Sequence, residues 1–127
     1  MASFIDANLI LRYLLNDPEA ESVEQLFRKQ EDLILSNLVV AEIVWTLTSF
    51  YRWRKDKIIP PLLGLIKLPF IKADKNLLLS ALEIYHKHNI DYVDAYLIAL
   101  INKRKIQTLY SYDKHFDKIK HITRREP

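Results

Sequence analysis

Residues 90–117, IDYVDAYLIALINKRKIQTLYSYDKHFD, constrain the fold more than any other stretch of the chain. Apolar residues recur at helical spacing at Val93, Leu97, Ile98 and Ile101. Lys103, Arg104 and Lys105 then make a basic end, which suits the negative pole of a helix dipole. Residues 106–110 follow as a short strand, with Ser111-Tyr112-Asp113 as the turn after it. Asp94 therefore belongs to the start of a helix, and Asp113 lies just past the end of a strand. In an open parallel sheet both places fall on the edge where ligands bind.

The remainder alternates in the same way. A strand at 3–5 ends at Asp6 and is followed by an apolar helix over 8–15. Asp17 and Pro18 start a helix to about residue 29, with Val23, Leu26 and Phe27 inward. A second strand occupies 33–35, and Ser36 or Asn37 caps a helix from about 38 to 54. Residues 56–68 predict a short helix broken up by Pro60, Pro61 and Gly64. A third strand spans 70–73, Asp74 caps a helix over 75–88, and 120–123 add a last strand. This order argues one α/β domain over 1–127, a three-layer sandwich with a mostly parallel central sheet. At 127 residues, half of them apolar, the chain can bury a full core.

Several function classes are excluded by composition. The single glycine rules against phosphate-cradling loops and dinucleotide fingerprints, which need several. There is no cysteine, hence no disulfide or thiolate metal site, which fits a reducing cytoplasm. His86 and His88 are two apart and face different ways on a helix, while His115 and His121 carry no signal by spacing. The apolar run 58–66 holds two prolines and is too short to span a bilayer, so no membrane role is expected. The net charge of +3 permits a polyanionic partner without demanding one.

The acids carry more. Glu42 lies in LVVAEIVWTL and on a helix shares a face with Leu38, Val39 and Trp45. A carboxylate on an apolar face is costly unless it is paired, metal-bound or able to reach solvent. Asp6, Asp91 and Asp94 each suit a cap or the first turn of a helix, and Asp113 suits a turn. Jointly, Asp6, Glu42, Asp94 and Asp113 all lie just after a strand or near a helix start. Four carboxylates on one sheet edge repel each other unless a cation sits among them. Oxygen-only ligation suits Mg²⁺ or Mn²⁺, and such a site without a nucleotide loop points to phosphodiester hydrolysis.

Three segments together resemble the PIN domain family, specifically its VapC-like toxin ribonucleases. FIDANLILRYLLNDPE resembles the family's opening: an Asp, a small residue, an Asn, then an apolar helix with a central arginine. LVVAEIVWTL resembles the segment bearing the family's Glu. VDAYLIAL followed by TLYSYDKHF resembles the closing pair of acids, with a hydroxyl residue two before the last. The resemblance implies a parallel sheet flanked by helices, with Asp6, Glu42, Asp94 and Asp113 as the catalytic and metal-binding quartet. It implies supporting roles for Asn8 and Ser111, and makes Asp91 a candidate for a second metal. Residues 56–68 match no family motif.

The implied activity is Mg²⁺- or Mn²⁺-dependent endonucleolytic cleavage of RNA. Asp6, Asp94 and Asp113 would be ligands, with Glu42 a ligand or a base through a bound water. RNA contacts are expected from Arg52, Arg54 and Lys55 and from Lys103 and Arg104, with Trp53 available to stack on a base. Many such toxins are homodimers inhibited by an antitoxin, so both partners are expected. The alternative is an RNA-binding or scaffold module of the same fold without catalysis, against which the complete quartet argues. A haloacid-type phosphatase would need a second Asp where Asn8 stands, and a receiver domain would need paired acids before Asp6.

Overall fold

The computed structural model describes residues 2–127. Short polar side chains set the starts of several elements. Strand β1 (Ser3–Phe4) leads to Asp6, which caps α1 (Ala7–Leu14) by accepting the Ala7 N–H at 2.8 Å. Asp17 shapes the next turn rather than capping a helix: its Oδ1 accepts the Glu19 N–H at 2.8 Å, and α2 (Ala20–Arg28) begins one residue later. Val23 and Phe27 of α2 are buried as expected, and Leu26 is partly covered. Strand β2 (Leu33–Ile34) ends before Ser36, whose Oγ accepts the Val39 N–H at 3.2 Å to start α3 (Asn37–Ser49). The helix stops earlier than expected, because the chain turns through Arg52 in the left-handed region, φ 59°.

Helix α4 (Lys55–Lys67) is continuous and contains Pro60 and Pro61. This corrects the expected broken helix. A proline in a helix interior costs about 3 kcal/mol. Ile58, Ile59, Leu62, Leu65 and Ile66 are all buried on α4, and each buried side chain of this size contributes about 1.5–3 kcal/mol, so burial outweighs both prolines. Gly64 has open space around its Cα and plays no part in that packing.

Strand β3 (Ile71–Lys72), α5 (Lys75–Lys87), α6 (Tyr92–Arg104), β4 (Thr108–Tyr110) and β5 (Thr123–Arg125) complete the α/β architecture. Every strand pairing is parallel. The strands form one sheet in the order β1-β2-β3 and a second of β4 and β5. The last strand therefore lies at 123–125 rather than 120–123. Ile119 is instead drawn into the core, and His121 takes a left-handed turn at φ 74°.

Helices α5 and α6 pack closely together, and α3 packs on both α1 and α6. Asn37 Nδ2 donates to Tyr96 Oη at 2.9 Å and pins the start of α3 to α6. The core runs from strand residues such as Leu35 and Ile71 through Ile43, Leu47, Leu78 and Ile98 of the helices. Helix α6 is rotated from its expected orientation. Tyr92, Ala95, Ile98, Ala99 and Ile101 take the buried face, which leaves Val93 60% exposed. Among the described residues, no helix is long and apolar enough to cross a membrane.

Candidate metal centre

Asp91 is the N-cap residue of α6, and Asp94 stands in its first turn, where the helix dipole favours a carboxylate. Strand β4 delivers the second carboxylate. Just past its end, Ser111 Oγ accepts the Asp113 N–H at 3.0 Å, and Asp113 Oδ1 accepts the His115 N–H at 3.3 Å. These two bonds start a 3₁₀ turn (Lys114–Lys118) whose Phe116 is buried. The turn carries the His115 ring between the two acids. Nδ1 lies 2.6 Å from Asp113 Oδ1, and Nε2 lies 3.0 Å from Asp94 Oδ2.

The donor set fits a divalent cation. One ligand atom each from Asp94, Asp113 and His115 lie within 4.8 Å of one another. Atoms on opposite sides of a cation bound at about 2.1 Å are about 4.2 Å apart, so the set needs to close by at most a few tenths of an ångström around the ion. Although Nε2 is close to Asp94, the contact lacks the direction of a hydrogen bond, so this buried nitrogen has no aligned partner. A nitrogen in that condition, flanked by two carboxylates, is a donor suited to a metal.

The other candidates lie outside this three-residue cluster. Asp6 is exposed at the start of α1, tied to its neighbour's N–H. Glu42 is exposed on α3. The face it shares with Leu38 and Trp45 points to solvent, so the expected conflict between a carboxylate and a buried apolar face does not arise. Because α3 packs on both α1 and α6, the three acids Asp6, Glu42 and Asp94 stand on three adjoining helices. Asn8 Oδ1 accepts from Arg12 Nε at 3.0 Å, and Arg12 in turn pairs with Asp17 at 3.4 Å. Asn8 thus holds the arginine of α1, whereas Ser111 acts directly on the Asp113 backbone.

His115 was not legible from its spacing. It is two residues from Asp113, a separation that faces away on an α-helix, and only the 3₁₀ turn folds the ring back.

The basic residues divide. Lys55 braces the fold: its Nζ donates to the carbonyls of Tyr85 and His88, each at 2.7 Å, and sits 3.5 Å from that of Ile90. It also lies over the Tyr85 ring at 4.4 Å. The ammonium satisfies the Tyr85 carbonyl at the C-terminal end of α5 and shares the His88 carbonyl with the Ile90 N–H, which donates to it at 3.0 Å. Burial lowers the Lys55 pKa, and the nearby Asp91 carboxylate opposes that shift. Arg52, Arg54 and Arg104 are exposed, with Arg54 4.0 Å from Asp56. Lys103 is 3.5 Å from Asp74. Lys57 lies over the Trp53 ring at 4.1 Å.

The model for the PIN domain family matches residues 3–122. A protein of Aquifex aeolicus (strain VF5) named VapC ribonuclease is 23% identical over 121 residues, covering 91% of this chain and 90% of the relative. Among solved structures, Mycobacterium tuberculosis VapC20, described as a sarcin-ricin loop cleaving toxin, is 18% identical with a TM-score of 0.41. That match covers 92% of this chain and 93% of the other.

Proposed function

We propose that this chain, which belongs to the PIN domain family, is a divalent-metal endoribonuclease that hydrolyses RNA phosphodiester bonds as the toxin of a toxin–antitoxin pair. The observation that carries this reading is the convergence of Asp94, Asp113 and His115 at the junction of α6 and β4. The relative named VapC ribonuclease matches over nearly the whole chain and supports the same reading.

A bound Mg²⁺ or Mn²⁺ would activate water for attack and offset the charge growing on the phosphate. Asp94 and Asp113 would hold the ion through oxygen, and His115 through a ring nitrogen. Ser111 keeps Asp113 in place by accepting its N–H. Asp6 from α1 and Glu42 from α3 complete the acidic set, Glu42 as ligand or as base through a water. Asp91 is assigned to a second ion. RNA would be held by Arg52, Arg54, Lys103 and Arg104, exposed cations whose attraction to phosphate needs no base sequence. The partners are an antitoxin protein and a second copy of this chain, and the working compartment is the cytoplasm.

The test is cleavage of single-stranded RNA by purified protein with Mg²⁺, with Mn²⁺ and with excess EDTA, alongside Asp94→Asn. Cleavage is expected with metal only, and the variant should lose it. Full activity in EDTA, or in Asp94→Asn, would overturn the assignment.

A further inference from the structure

Beside Asp94 the surface opens into a cavity of about 380 Å³ between α3 and the start of α6. Its walls include Trp45, Thr48 and Ser49 from α3 and Asp91, Val93 and Asp94 from α6. The indole of Trp45 is 64% exposed. Trp45 is therefore a flat, open aromatic face, with hydroxyls and carboxylates sharing the same walls. Past Asp91 the cavity continues into a second groove of about 600 Å³, which shares Thr48, Tyr85 and Asp91 with it. That groove carries Trp53 and Arg54.

We infer that the Trp45 cavity is a nucleobase subsite, taking the unpaired base next to the phosphate that is cut. The inference rests on the proposed ribonuclease function and extends it to substrate choice. Three features favour a base over other occupants. An exposed tryptophan face stacks on any base. Asp94 belongs both to the cavity and to the candidate metal centre, so a base held there places its own phosphate at the ion. The adjoining groove supplies a cation and a second tryptophan, where the strand can continue.

The test uses full-length protein and a pool of single-stranded RNA, sequenced at the cut ends. Affinity is then measured on oligoribonucleotides spanning the preferred cut, either intact or abasic at one position, with Asp113→Asn preventing cleavage. Trp45→Ala and Trp45→Phe are each added to that background. One position flanking the cut should favour the bases that stack most strongly. Making that position abasic should weaken binding about 5- to 150-fold, the range for losing one base–aromatic stack. Trp45→Ala should weaken binding similarly and remove the effect of the abasic site, while Trp45→Phe retains most of it. Because Trp45 is exposed, unchanged melting of the variants separates lost binding from lost folding. If native protein cleaves RNA but Trp45→Ala keeps the same affinity and the same cut-site bases, the subsite is overturned and the ribonuclease reading stands. If Trp45→Ala alters only the oligomeric state, Trp45 belongs to a protein interface and the subsite is likewise overturned. If native protein neither binds nor cleaves RNA, both readings fall.

Discussion

His115 Nε2 lies 3.0 Å from Asp94 Oδ2, which joins the 3₁₀ turn after β4 to the first turn of α6. Nitrogen ligation at this point bears on which metal is held. Mg²⁺ favours oxygen donors and keeps its waters, whereas imidazole raises affinity for transition metals. His115→Ala should therefore weaken Mn²⁺ binding more than Mg²⁺ binding. Calorimetric titration of metal-free protein with each ion measures this directly. Equal losses for both ions would remove His115 from the ligand set.

Mass action offers a check on the site as a whole. Mg²⁺ or Mn²⁺ at 100 times its dissociation constant should stabilise the native protein by about 2.7 kcal/mol, and Asp94→Asn much less. Melting curves with EDTA and with each ion supply the comparison. A native melting temperature indifferent to metal would mean that Asp94, Asp113 and His115 share no cation.

Lys55 and Arg54 are neighbours in sequence with different work. Lys55→Met should leave the Tyr85 and His88 carbonyls without their charged donor and cost about 1–3 kcal/mol in denaturant unfolding. The salt dependence of RNA binding should stay as it was. Arg54→Gln should do the reverse, lowering the slope of log affinity against log salt by about 0.7 with little change in stability. A reduced slope for Lys55→Met would return that residue to the RNA surface.

Tyr92 is buried, and its hydroxyl has no hydrogen-bond partner among the described residues. Tyr92→Phe should therefore stabilise the fold by about 1 kcal/mol, since an unpaired buried hydroxyl carries its desolvation cost without return. Burial, with a smaller contribution from Tyr96, pushes the phenol well above the usual tyrosine range. A folded pKa above the unfolded one means that the folded state binds more protons. The associated stability is complete below about pH 10, the unfolded value, and declines as pH rises above it. Lys55, shifted downward, acts with opposite sign in the same region. The difference between native and Tyr92→Phe unfolding curves from pH 8 to 11 isolates the phenol, and it should be flat below about 10 and widen above. A constant difference across that range would contradict the burial of this hydroxyl.

Much of this molecule was legible from local rules. Asp6 and Ser36 announce their helices because a side-chain oxygen and a nearby backbone N–H meet within a few residues. The alternation of strands and helices is equally local, since periodicity belongs to each segment by itself. That is enough to place Asp94 at a helix start and Asp113 past a strand. Periodicity alone misjudged Val93, because which face of α6 is buried depends on what packs against it, here α5. The same limit applied to Glu42, whose apolar-looking face turned out to be solvent-exposed, and to Pro60 and Pro61, whose local cost is overcome by burial across α4. Lys55 could only be assigned by tertiary structure, since the carbonyls it satisfies lie at least 30 residues away. So could the place of His115 between Asp94 and Asp113: it exists because a 3₁₀ turn and α6 meet in space, and a contact between distant elements leaves no periodic trace in either one.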